Sequence, residues 1–273
     1  MKQRILLLCD LEGVNHVVGE PYHGLGRGSE EWEIARREAA RELNAAAGAL
    51  LEAGVSRISL WDNHGSGKNI EKSDLDPRIE VIEPEGPRMS FARDRFDAAF
   101  FFGYHAMEGT LGGVLAHTFS SVSIQYYKLN GRYVGEVDMD AAIAGSYGIP
   151  CVFYAAGDIA CLQARRAVPG IVTVATKTEL SRNRAIFRDD RELMDEIREK
   201  TVEALRDPPA PQKLFFPAVL EKSFKRVEDA ALYLEKLLSA GMNAEYPADE
   251  LLGHDAHAVR AVIRSMEEFV FAL

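Results

Sequence analysis

The chain has 273 residues, 47% of them hydrophobic and 27% charged, which excludes a disordered or fibrous protein and suits one large α/β unit with a smaller lobe. Lys and Arg number 32 against 42 Asp and Glu, a formal net charge of −10, so no broad positive field exists for a nucleic-acid backbone and nucleic acid is not an expected partner. No stretch approaches the roughly 20 apolar residues of a membrane span, no signal-peptide pattern is present, and Cys9, Cys151 and Cys161 read as buried thiols, so a cytoplasmic protein with no membrane partner is expected.

In chain order, residues 5–9 form a continuous apolar run, the pattern of a strand buried on both faces of a parallel sheet. A glycine-rich loop over 15–28 follows and carries His16 and His23. Ser29 is placed to cap a helix over 30–52 whose Trp32, Ala39, Leu43, Ala47 and Leu50 share one face, with Gly54 as its stop. The loop is long for a βα connection. Its glycines do not follow the strand directly and two acids crowd the helix start, which favours a loop over a site above a phosphate cradle. Further apolar runs at 57–61, 98–103, 150–155 and 171–175 extend the parallel pattern. Segments 122–129 and 132–137 flank Asn130-Gly131, the dipeptide of a tight hairpin, with Glu136 alternating with Val134 on the second strand. Leu193, Ile197, Thr201 and Leu205 mark a helix that ends at the proline-rich stretch 207–211. The expected architecture is α/β: a mostly parallel sheet with flanking helices and an inserted β-hairpin over 1–207, bearing the site, plus a smaller C-terminal α+β lobe over 212–273 with a helix at 227–240. Within that lobe, His254 and His257 have the spacing of one exposed helical face.

Open α/β sheets bind ligands outside the carboxyl ends of their strands, so the polar residues that follow each apolar run are the ones to collect. They are Asp10 and Glu12 after the first run, Asp62, Asn63 and His64 after the second, and His105 after the third. Any one of them has a plain structural explanation, since strand-end acids cap turns and edge histidines form hydrogen bonds. Together they make an oxygen-plus-nitrogen set suited to zinc or another divalent metal, because carboxylates brought together repel unless a cation or proton compensates. By position alone, His117 and Glu136 are weaker signals.

The segments Asp10-Leu-Glu-Gly13, Asp62-Asn-His64, Gly103-Tyr-His-Ala106, Ala116-His117, Val134-Gly-Glu136, Ala156-Gly-Asp158 and Lys177 with Ser181-Arg182 resemble, in order and spacing, the zinc-dependent D-aminopeptidase family associated with bacterial dipeptide-transport operons. The resemblance covers about the first two-thirds of the chain. It implies two Zn2+ per subunit held by Asp10, Glu12, His64, His105 and Glu136, with Asp10 as the bridge and His117 as the catalytic residue. It further implies a homo-oligomer, a decamer enclosing a shielded chamber, and short peptides with an amino-terminal D-residue as substrates. The loop after Gly13 departs from the family pattern. Two other readings compete with a zinc-dependent aminopeptidase: a metal-dependent phosphoesterase, and a non-catalytic peptide-binding module linked to transport. The two histidines favour zinc over magnesium, which prefers all-oxygen shells.

Overall fold

Strand β1 (Arg4–Cys9) is buried because its alternate residues face two different cores: Ile5, Leu7 and Cys9 on one side, Leu6 and Leu8 on the other. The computed structural model describes residues 3–21, 24–93 and 95–273, so His23 lies outside the described residues. Helix α1 (Glu30–Glu52) starts where the Ser29 hydroxyl accepts the Trp32 N–H, and three acids in its first turn complement the helix dipole. Next come β2 (Arg57–Asp62), β3 (Ile79–Ile82) and β4 (Ala98–Tyr104). In β4, Phe100 and Phe102 pack into the same core as Ile5 and Leu7 while Phe101 packs into the other, each contributing about 1.5–3 kcal/mol by burial.

A hairpin of β5 (Ile124–Leu129) and β6 (Arg132–Val134) turns through Asn130 and Gly131, both at positive φ as a tight primed turn demands. The strand expected to run to residue 137 stops at Val134. The Gly135 N–H donates to the Asp138 carboxylate at 2.9 Å, and Glu136 becomes the first residue of helix α2 (Glu136–Ser146). Then follow β7 (Cys151–Ala156), α3 (Asp158–Ala167), β8 (Val172–Ala175), a second hairpin of β9 (Lys177–Ser181) and β10 (Arg184–Phe187), and α4 (Asp190–Glu203). The last segment holds β11 (Ala218–Phe224), α5 (Val227–Ser239), β12 (Asn243–Glu245), the two-residue strands β13 (Ala248–Asp249) and β14 (Gly253–His254), β15 (Ala258–Ile263) and α6 (Met266–Ala272).

Six strands form an all-parallel sheet in the order β3-β2-β1-β4-β7-β8. Helices α1 and α4 cover one face, through Leu43, Leu50, Leu193 and Ile197; α2 and α3 contribute Met139, Ile143 and Cys161 to the other. The chain leaves β1 toward β2 on one side and continues from β4 toward β7 on the other, so the topological switch lies between β1 and β4. A second, antiparallel sheet has the order β12-β15-β11-β5-β6. The C-terminal segment thus pairs with the hairpin of 124–134, and this sheet is assembled from both sides of the proline-rich linker. Its Leu220, Val259 and Ile263 join the core that holds Leu6 and Phe101. His254 and His257 do not share a helix. His254 ends β14 and stacks on Tyr246, whereas His257 precedes β15 and reaches the Phe224 carbonyl. No helix among the described residues is long and apolar enough to cross a membrane.

Candidate metal centre

The switch point places the loops after β1 and β4 against each other, backbone to backbone. The Gly13 N–H donates to the Gly103 carbonyl at 2.7 Å, and the Asp10 N–H to the Phe102 carbonyl at 2.9 Å. A Cβ on Gly13 would stand 1.8 Å from the Tyr104 carbonyl oxygen, and one on Gly103 2.1 Å from that of Asp10. Gly103 also has φ +67, so only glycine fits there without strain. Lys177 fastens the same loop from the start of β9. Its buried ammonium donates to the carbonyls of Glu12, Val14 and Val17 at 2.6, 2.9 and 2.6 Å, using all three protons. His64 is set by Asp62, which turns away from the cluster to accept the Asn69 and Ile70 N–H groups; Asn69 in turn donates to the His64 carbonyl at 2.8 Å.

All six candidate residues converge. His64 Nδ1 lies 2.8 Å from Asp10 Oδ1 and 3.2 Å from Glu12 Oε2. His105 Nε2 lies 3.6 Å from Asp10 Oδ2 and 3.3 Å from Glu136 Oε1. The rings of His105 and His117 stack with centroids 3.9 Å apart. Two sets, Asp10 with Glu12 and His105, and His105 with His117 and Glu136, hold potential ligand atoms within 4.8 Å of one another and share His105. Ligand atoms on one tetrahedral zinc, bonded at about 2.0–2.1 Å, are themselves about 3.3 Å apart, so these separations fit a common ion.

Hydrogen bonds decide which nitrogens face the centre. His105 Nδ1 is 3.0 Å from the Ala106 carbonyl and His117 Nδ1 is 2.8 Å from the Leu115 carbonyl. A carbonyl only accepts, so each Nδ1 carries the proton and each Nε2 is the atom left for the site. His105 Nε2 is buried and makes no aligned hydrogen bond. Three nearly buried carboxylates surround it, and among the described residues no Lys or Arg pairs with any of them. Burial opposes charge on Asp10, yet the imidazoles of His105 and His64 outweigh it and hold the carboxyl well below its usual range. Burial likewise opposes a charged His64, but Glu12 and Asp10 lift it to about 11; Asp10 and Glu136 raise His105 in the same way. Without an ion, the imidazoles take up the positive charge that the carboxylates demand. A divalent cation fits both the donor set and that demand.

A cavity of about 360 Å3 opens over these groups, with Gly24, Leu25 and Gly26 of the glycine-rich loop in its wall. Arg88 also lines it, held by Asp140 at 2.6 and 2.7 Å and sandwiched between Trp61 and Phe119. Tyr104 donates to the same carboxylate at 2.8 Å and accepts from Asn63 at 2.9 Å. Sequence reading assigned no role to Arg88, Asp140 or Lys177: their partners are 36 or more residues away or are backbone carbonyls, and neither leaves a local pattern. The three cysteines are free and buried, and desolvation pushes their thiols up, away from nucleophilic or metal-binding use.

A parallel sheet with a carboxylate–histidine donor set at its switch point defines an α/β protein built around a candidate metal centre. A family model described as D-aminopeptidase matches residues 3–266, and the chain belongs to that family of peptidases. A D-aminopeptidase from Bacillus subtilis (strain 168) is 26% identical over 183 residues, which are 66% of this chain; the match spans 65% of that relative's length, just under two thirds. Among solved structures, the zinc-dependent D-aminopeptidase DppA from Bacillus subtilis, described as a self-compartmentalizing protease, superposes with a TM-score of 0.84 at 24% identity, covering 98% of this chain and 94% of that one. That superposition shows a shared fold.

Proposed function

We propose that this protein is a zinc-dependent aminopeptidase that removes the amino-terminal residue, a D-amino acid, from short peptides. The observation that carries the reading is the buried, unpartnered His105 Nε2 between two carboxylate-bearing groups, in a chain of the D-aminopeptidase family. Two zinc ions per subunit would be held by Asp10, Glu12, His64, His105 and Glu136. When bound, zinc acidifies water from a pKa of 15.7 toward about 7 and polarises a carbonyl.

The chain's own groups do the rest. His117, with Nδ1 fixed on the Leu115 carbonyl, offers Nε2 to take a proton from the attacking water and return it to the leaving amine. Assembly into a homo-oligomer, a decamer enclosing the sites, and residence in the cytoplasm complete the proposal; the self-compartmentalizing description of the structural relative supports the assembly. A metal-dependent phosphoesterase is the competing enzymatic reading. Neither that reading nor a non-catalytic binding module is favoured by family membership.

The test is release of free alanine from D-Ala-D-Ala and L-Ala-L-Ala before chelation, after it, and after zinc is restored. Zinc-restorable release from the D,D-dipeptide is expected. No release by zinc-loaded protein, or release that chelation leaves untouched, would overturn the reading.

A further inference from the structure

The cavity over the metal centre is lined by acids on one hand and by two arginines, Arg88 and Arg182, on the other. Arg88 is committed to Asp140. Arg182 is exposed, its Nη1 donates to the Ala116 carbonyl at 2.7 Å, and no carboxylate among the described residues pairs with it. The backbone that carries it is fixed from two sides. The Leu115 N–H donates to the Arg182 carbonyl at 2.9 Å, and Asn183 Nδ2 donates to the Val18 carbonyl at 2.8 Å. The β9–β10 turn is therefore tied both to the segment bearing His117 and to the glycine-rich loop. A guanidinium has five N–H donors in a planar fork shaped for a carboxylate, and only one is used on Ala116.

Resting on the aminopeptidase reading, we propose that Arg182 binds the free C-terminal carboxylate of the peptide and so restricts the enzyme to short zwitterionic peptides. The amino end of the peptide lies at the metal centre and its carboxylate at Arg182, two fixed places in one cavity. Each added residue moves the carboxylate by about 3.3–3.6 Å, so a fixed guanidinium loses it after one or two residues. Chain length becomes the selected property, with no need for pockets that read side chains.

Calorimetric titration and steady-state kinetics on the zinc-loaded protein test this, comparing D-Ala-D-Ala with its C-terminal amide in wild type, Arg182→Gln and Arg182→Lys. Wild type is expected to prefer the free acid by about 10- to 100-fold, with the difference in KM. The acid-to-amide ratio should fall near unity in Arg182→Gln and be intermediate in Arg182→Lys, with zinc content equal in all three. A ratio near unity in wild type, or a wild-type ratio retained in Arg182→Gln, overturns the proposal. Should neither peptide be cleaved, binding alone decides: an Arg182-dependent preference for the acid upholds the carboxylate subsite while the peptidase reading fails, and no preference ends both.

Discussion

Two regions of this molecule gather the same residue types and differ in what answers their charge. His16, Glu38 and Asp190 hold potential ligand atoms within 4.8 Å of one another, as do the residues around His105. In the first region Arg41 supplies the cation, donating to Glu38 and to Asp190 at 2.8 Å each, while His16 Nε2 meets Asp190 at 2.6 Å. In the second, among the described residues, no arginine or lysine pairs with the carboxylates, and a buried imidazole nitrogen is left with no aligned partner. Ligand types at ligand distances are thus common to both, and carboxylates that no arginine or lysine answers, beside a buried ring nitrogen without an aligned partner, mark the one suited to an ion.

The comparison is most directly broken by removing one imidazole from each region. His105→Ala, which takes a ligand from both sets at the centre, should lower bound zinc below one ion per chain and activity by about 10³-fold or more; His16→Ala should leave zinc content, read by elemental analysis, at the wild-type value. Within the centre, His117→Ala should keep its zinc while kcat falls by roughly 10²- to 10⁴-fold, separating proton transfer from ligation. Loss of zinc in that variant would make His117 a ligand instead. Lys177→Met frees three carbonyls of the loop carrying Glu12, and zinc affinity by competition with a chelator should drop about 10- to 100-fold. Asp190→Asn, in the region where Arg41 already serves, should cost no more than about 1 kcal/mol in denaturant unfolding, as for other exposed ion pairs.

Another effect concerns pH. Burial raises Glu42 from its ordinary 4.5 to about 8, although it accepts the Asn15 N–H. Between those values the folded chain keeps a proton that the unfolded chain has released, so this group makes stability fall as pH rises from about 4.5 to about 8. Glu42→Gln removes the dependence, and its melting temperature should gain on wild type by a few degrees over that interval. A gap that stays constant from pH 5 to pH 8 would show that Glu42 does not titrate there.

Much of the parallel sheet was legible because strands buried on both faces are written as unbroken apolar runs, as in residues 5–9 and 98–103. Strand ends then follow, and with them Asp10, Glu12, His64 and His105. Glu136 was harder: two residues beyond Val134 it fits a strand by parity, and only the Asp138 cap on Gly135 shows that the chain has already turned into a helix. His254 and His257 misled for the converse reason, since a three-residue spacing also occurs across a strand end and the next turn. The pairing of β11 with β5 joins residues about 90 apart and leaves no local trace. Arg182 was visible only as part of a matching segment, because its exposure and lack of an acidic partner are properties of the folded surface.

Gly13 and Gly103 carry no reacting group, yet each stands where any side chain would strike a neighbouring carbonyl. In a survey of single variants scored by turnover, both positions will therefore rank beside the ligands. Scored by the amount of folded protein, they part company: alanine at either glycine depletes the folded chain, whereas loss of a ligand spares the scaffold and relieves crowded charge. The two scores together sort the residues that hold the loops from those that hold the ion.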